Sequence, residues 1–140
     1  MSVLQPFGID YRDFHHDIAA LLLRLAFGGL MALSHGWDKA QLLFGAEPIN
    51  FPDPIGLGAT AALSLSVFIE LGCALLILIG LGTRLATLPL IFAMLVAAFV
   101  IHGYDPLPQK ELALVYLFAY LAIFFLGPGR YSVDSVLQNR

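Results

Sequence analysis

The chain has 140 residues, of which 59% are hydrophobic and only 12% are charged, and its formal net charge is -3. A soluble domain is about half apolar and about a quarter charged, so the few charges here do not suffice to cover a solvated surface. A domain of this size cannot hide so much apolar surface in one water-soluble core, and the composition therefore indicates an integral membrane protein. The small net charge and the lack of a basic run argue against a nucleic-acid partner.

The N-terminal segment, residues 1–17, lacks the basic region of a secretory signal, so we expect the first apolar segment to remain as a retained helix. Phe7, Tyr11, Phe14 and Ile18 follow a helical spacing, which suits a short amphipathic helix lying on the membrane surface. A frayed tail with scattered aromatic residues is the alternative.

The apolar residues form four segments, at about 18–37, 59–80, 84–102 and 111–126. Each is close to the length of about 20 residues that a helix needs to cross the hydrocarbon core. Short links between them predict an all-α fold, an antiparallel four-helix bundle in the membrane. We expect the whole chain, 1–140, to form one such domain with both termini on the same side.

The connection between the first two segments contains Pro48, Pro52 and Pro54, which forbid a continuous helix. Its remaining residues are largely apolar. We therefore expect this loop to pack over the mouth of the bundle or to rest in the membrane interface.

The basic residues favour one orientation of this bundle, because cytoplasmic loops carry an excess of Lys and Arg. Four arginines fall on the side of the termini and two lysines on the opposite side: Arg12, Arg84, Arg130 and Arg140 against Lys39 and Lys110. Both termini are therefore predicted to be cytoplasmic.

The first apolar segment carries a polar stripe. Arg24, Gly28, Met31, His35 and Lys39 share one face of a helix, whereas the other positions are almost entirely Leu, Ala, Phe and Gly. A membrane helix keeps charged residues on one stripe when that stripe faces protein, a cavity or a partner charge.

Glu70 lies near the middle of the second segment, where a carboxylate is costly unless it is neutral or paired. Arg24 lies within a few ångströms of the same depth, because its helix starts from the opposite side of the membrane. A buried Arg24–Glu70 pair that fixes the helix register is therefore one prediction. A proton-accepting or ligand-binding role for Glu70 is a second, and the two are compatible.

Further polar residues collect at one end of the predicted bundle. His35 and His102 end two helices there, and Glu111 opens the fourth. With Lys39 they are expected to form a polar, ligand-binding mouth above Glu70, although an interfacial hydrogen bond is the commoner role of a histidine at a helix end. No short metal-ligand spacing joins these residues, and we predict no metal site.

The fourth segment is rich in aromatic side chains: Tyr116, Phe118, Tyr120, Phe124 and Phe125. Such residues pack helices together or sit in the interfacial belt. A more specific hypothesis is a groove for a quinone ring, with apolar walls and a few polar groups that hold the carbonyl oxygens.

The order and spacing of these motifs resemble the DoxX family, over about Leu21 to Leu137. The motifs are Arg24 through Gly28 to His35-Gly36 and Lys39, Glu70 with Gly72, Gly80-Leu-Gly-Thr-Arg84, and Gly127-Pro-Gly-Arg-Tyr-Ser-Val-Asp134. The resemblance implies a small bacterial or archaeal four-helix protein of the cytoplasmic (inner) membrane. It also implies a link to thiosulfate:quinone oxidoreductase and quinol oxidase complexes and to membrane redox or oxidative-stress assemblies. The single cysteine, Cys73, argues against a thiol relay.

The leading hypothesis is a quinone-interacting or anchoring subunit of a membrane redox assembly. Arg24, His35, Glu70 and His102 would line its polar interior, and Glu70 and His35 would exchange protons with a quinone. The chain has no motif for its own haem, flavin or nicotinamide, so electrons would come from a ligand or from redox partner proteins.

Two other hypotheses stay open. The first is a small oligomeric, proton-coupled carrier, a homo-oligomer of this chain, that uses Glu70. The second is a structural accessory subunit whose charges specify helix pairing. An apolar cavity that reaches Glu70 would favour the quinone hypothesis over the structural one. A wet path from both sides would favour the carrier.

Overall fold

The structure is a computed structural model that describes residues 11–138. The first helix, α1, starts with the α-helical turns Tyr11–Leu23 and ends with Trp37–Phe44. Between them lie two π-helical segments, Arg24–Gly28 and Met31–Gly36. The predicted surface helix falls mostly outside the described residues, and from Tyr11 onward the chain continues into the first span without a break.

Three further long helices and one short helix follow: α2 (Ala59–Ile79), α3 (Thr83–Ile101), α4 (Leu107–Leu126) and α5 (Val133–Gln138). π-helical turns recur at Phe68–Cys73 in α2 and at Ala97–Ile101 in α3. No strand occurs in the part of the chain that the structure describes. Helices α1 to α4 are each long and apolar enough to cross a membrane, which confirms the predicted all-α membrane fold.

The four long helices form an antiparallel bundle in which α1 packs on α2, α2 on α3, α3 on α4, and α4 on α1. The bundle has two ends. The termini end holds the Gly80–Gly82 turn, α5 and the start of α1, where the Arg130 backbone N–H donates to Asp17 at 2.8 Å. The loop end holds the connections 45–58 and 102–106.

The outer surface of the bundle is strongly apolar. Leu33, Leu85 and Phe125 are each about three-quarters exposed, whereas Leu63, Ile77 and Leu90 are fully buried. Large side chains that face outward in this way cannot be solvated favourably by water. They are suited to a lipid bilayer around the helices.

Two glycines bring the backbones of α1 and α2 into contact. A Cβ atom on Gly36 would lie 2.7 Å from the carbonyl carbon and oxygen of Glu70, and one on Gly28 would lie 3.0 Å from the Ala74 carbonyl oxygen. Small residues allow this close approach between membrane helices. The contact at Gly36 sets Glu70 directly beside the end of α1 that carries His35 and Lys39.

Gly36→Ala should therefore destabilise the bundle. The added methyl group meets backbone atoms that cannot move aside, and overpacking of this kind costs about 1–3 kcal/mol. Thermal unfolding in detergent micelles would measure the loss. Gly72→Ala is the matched control, because a Cβ there would meet only the Phe68 ring at 3.7 Å. Equal stability of the two variants would contradict this packing.

Candidate functional site

A cavity of about 330 Å³ lies inside the bundle toward the loop end. Its volume is at the lower end of the range of about 300–1,000 Å³ that is typical of small-molecule sites. Apolar residues from all four long helices form most of its walls. Four of the predicted site residues line it together: His35, Lys39, Glu70 and His102.

Glu70 forms an ion pair with Lys39 at the wall of this cavity. The Glu70 side chain is 8% exposed and the Lys39 side chain 26%, so the carboxylate is the more deeply buried partner. The Lys39 ammonium also lies 5.5 Å from the centre of the Phe51 ring, a cation–π contact. The predicted Arg24–Glu70 pair is wrong, because Lys39 occupies that role.

The reason lies in the length of α1. The predicted span ended at Trp37, which placed Lys39 in a connection, whereas the helix continues to Phe44. Lys39 is therefore one helical turn beyond His35, on the same face. From there its flexible stem reaches back toward the carboxylate of Glu70.

His35 and Tyr116 form a second polar contact in the wall of the cavity. Their rings meet edge to face at 5.8 Å between centroids, and Tyr116 also stacks on Tyr120 at 5.9 Å. The Tyr120 hydroxyl donates to the Phe27 carbonyl at 3.1 Å. Within residues 11–138, neither the His35 ring nor the Tyr116 hydroxyl hydrogen-bonds to another residue, so both retain hydrogen-bonding capacity for a ligand. In the sequence, Tyr116 is only one of several aromatic residues in the fourth apolar segment.

Side chains of the connection 45–58 line the loop end of the cavity, which agrees with the first of the two positions expected for this apolar loop. Phe51, Pro52, Pro54 and Ile55 all line the cavity. Asp53 stabilises this loop by accepting the backbone N–H groups of residues 57 and 58 at 2.8 and 2.6 Å. These bonds, first that from Gly58 and then that from Leu57, hold the pKa of the Asp53 carboxyl below its usual value.

The remaining predicted residues, His102 and Glu111, lie near the connection between α3 and α4. His102 Nδ1 lies 2.7 Å from Asp105 Oδ2, an interaction within the short connection between these helices. Lys110 donates to the Gly103 carbonyl at 3.0 Å. Glu111 is exposed and does not line the cavity, so the structure does not bring it together with the other predicted ligand-binding residues.

Arg24 lies at the termini end, away from the cavity, and is only 2% exposed. Its guanidinium donates to the Ile77 and Leu78 carbonyls at 2.9 and 3.1 Å. Further bonds run to the carbonyls of residues 128 and 131 at 2.7 and 2.9 Å. The last carbonyls of a helix lack partners within it, and Arg24 supplies donors to those of α2. It thereby ties α1, α2 and the C-terminal segment together.

The C-terminal segment makes a second set of hydrogen bonds at the termini end, close to those of Arg24. The Asp134 carboxylate accepts the backbone N–H groups of Gly82 and Thr83 at 2.7 and 3.0 Å, and the Thr83 hydroxyl at 3.0 Å. Burial raises the pKa of Asp134, but these hydrogen bonds and the positive charge of Arg24 outweigh it, and the pKa is lowered overall. The Gly80-to-Arg84 and Gly127-to-Asp134 motifs are thus parts of one structural contact.

π-helical turns coincide with the predicted residues. Arg24, His35 and Glu70 each lie in a π-helical segment, and His102 directly follows another. Such turns are rare and occur frequently at functional sites, where the extra residue changes the direction of the side chains. Residue periodicity alone did not indicate them.

A family model described as DoxX matches residues 19–103, which is more than half of the chain. The match includes Arg24, His35, Lys39, Glu70 and His102. Neither the curated proteins nor the solved structures contain a significant match to this chain.

Arg24→Lys should lower stability without changing the cavity. A lysine has a single nitrogen, which cannot reach the four carbonyl groups, and leaving buried acceptors unsatisfied costs about 2–4 kcal/mol in sum. Unfolding in mixed micelles would report the change. Arg130→Lys, at an exposed arginine of the same end, is the control. A drop in ligand affinity at unchanged stability would show instead that Arg24 serves the site.

Proposed function

The chain belongs to the DoxX family, and on this premise we propose that it is a quinone-interacting subunit of a membrane redox assembly. The observation that carries the proposal is the apolar cavity that reaches the Lys39–Glu70 pair. A bundle whose charges served only helix pairing would have no need of such a space beside them, because cores close-pack where they can.

The lining of the cavity suits a quinone headgroup. The headgroup is a flat, uncharged ring with two carbonyl oxygens, and each oxygen accepts hydrogen bonds. Lys39 and Tyr116 carry donors, His35 is able to donate or accept, and Phe51 and Tyr116 provide aromatic surface. Since the charges of Lys39 and Glu70 cancel, the site favours a neutral ligand.

Reduction of a quinone to a quinol takes up two electrons and two protons. In our proposal His35 and Glu70 exchange the protons with the two oxygens, and Lys39 holds the Glu70 side chain at the cavity wall through their ion pair. The electrons come from a redox partner protein, because the chain carries no motif for a redox cofactor of its own. The protein would then supply binding, orientation and proton exchange.

The asymmetry of the bundle favours this function over a carrier. The polar residues of the cavity lie toward the loop end, whereas Arg24 fills the termini end with hydrogen bonds to backbone carbonyls. A carrier needs access from both sides of the membrane in turn. The arginines of the termini end favour a cytoplasmic location for this end of the bundle, in a bacterial or archaeal inner membrane. Protons would then exchange with the outer side.

Quinone binding to the purified protein in lipid nanodiscs tests the proposal. Glu70→Gln and His35→Ala should each weaken the binding of a tritiated benzoquinone at least about tenfold, because the first removes the carboxylate paired with Lys39 and the second removes the imidazole. Glu111→Gln and His15→Ala are matched controls, since both residues are exposed and lie outside the cavity lining.

The folded state of every variant should be checked by circular dichroism and by its melting temperature. Folded wild-type protein that binds no quinone would refute the proposed function and favour the structural subunit. Equal binding by the Glu70 and Glu111 variants would refute the assignment of the site.

A further inference from the structure

The cavity differs at its two ends. Side chains of the connection 45–58 lie over its loop end, among them Phe51 and Pro52, and Phe51 is held there by its contact with Lys39. At the other end the bundle is closed by tight packing around Ile77 and Tyr120, which are fully buried. Along the bundle axis, loop side chains therefore line one end of the cavity, and close packing shuts the other.

One side of the cavity is more open than its ends, because α2 and α3 separate near the loop end. The part of α2 near the termini end, residues 68–79, packs on α3. The part near the loop end, Ala59–Val67, packs on Trp37–Phe44 of α1 and has only sparse contact with α3. A gap between α2 and α3 follows, at a depth where the surroundings are hydrocarbon.

The gap is lined by mostly small or apolar residues: Ala62, Leu65 and Ser66 on α2, and Phe92, Ala93 and Ala97 on α3. Leu65 is 39% exposed and Phe92 is 53% exposed, yet both also line the cavity. A residue that belongs to the cavity wall and to the outer surface marks the place where the two are continuous.

We propose that this gap is a lateral portal that holds the hydrocarbon tail of a membrane-dissolved quinone. The headgroup lies at Lys39, Glu70 and His35, and the tail passes between Leu65 and Phe92 into the bilayer. This inference rests on the proposed function and adds the ligand class, an amphiphile with a long apolar chain, and its route of entry. A hydrocarbon chain suits the portal, since five of the six residues named at the gap are apolar and Ser66 is the sixth.

The tail is surrounded by hydrocarbon in both the free and the bound state, so its burial adds little affinity. Narrowing the portal should instead weaken binding by steric exclusion of the tail. Ligands without a tail should be unaffected. This difference separates the portal from the headgroup site. A short quinone without a tail needs the polar residues but not the gap.

Ala97→Phe, which fills the α3 side of the portal, provides the test. Binding of a decyl-substituted benzoquinone in nanodiscs should weaken about tenfold, while the same benzoquinone without the decyl chain should change less than about twofold. Ala26→Phe is the matched control, because Ala26 is exposed on α1 and does not line the cavity. It should alter neither ligand.

Unchanged binding of the decyl compound to Ala97→Phe would overturn the portal, and the loss caused by Glu70→Gln would still support the proposed function. Equal loss of both compounds in Ala97→Phe would also overturn the portal, because the tail would then make no difference. Absence of binding to the wild type would overturn both proposals together.

A second measurement needs no variant. A benzoquinone that carries a diazirine at the end of its decyl chain should label residues within 62–66 and 92–97 of the wild-type protein, as mapped by mass spectrometry. Labels confined to α1 or α4 would overturn the portal. This experiment decides the matter even if Ala97→Phe does not fold.

Discussion

A carboxylate at the depth of Glu70 is stable only where an opposite charge or hydrogen-bond donors meet it, since hydrocarbon offers neither. Lys39 meets that requirement, and much of the loop half of the bundle follows from it. The helix α1 has to continue past Lys39, to Phe44, so that the Lys39 side chain is held on the face toward Glu70. Gly36 has to lack a side chain so that α1 approaches the backbone of Glu70.

The two cations on the polar face of α1 satisfy the same physical constraint in different ways. Arg24 is surrounded by backbone carbonyls, and its fork of donors suits several acceptors at once. Lys39 has a single compact charge and pairs with one carboxylate. The first arrangement fills its end of the bundle, whereas the second leaves space beside it. This difference separates a structural end of the molecule from a candidate binding end.

Much of the fold was predictable from the sequence, because four apolar segments in a chain of this length have few arrangements in a membrane. The positions of His35, Glu70 and His102 near one another were also predictable, since antiparallel helices bring those depths together. The partner of Glu70 was not. Helical spacing placed Arg24 and Lys39 on one stripe, and depth matched Arg24 to Glu70. Neither indicated that helix-end carbonyls would accept the Arg24 hydrogen bonds, or that α1 would continue past Trp37.

The role of Tyr116 was likewise beyond sequence reasoning. Several aromatic residues share α4, and only the packing of α1 against α4 distinguishes the one whose ring meets His35. The gap between α2 and α3 depends on how the two helices separate near the loop end, a feature that no local pattern reports. Residue periodicity identifies the face of a helix, but not how closely two faces approach.

A double-mutant cycle on Lys39 and Glu70 tests the central claim most directly. Lys39→Met, Glu70→Gln and the double variant would be compared in the free energy of unfolding, measured in mixed micelles. If the two side chains pair, the double variant should be more stable than the sum of the single losses requires, by about 1–3 kcal/mol. Quinone binding should be weakened in all three. Additive losses would show that Lys39 and Glu70 act independently and would contradict the account.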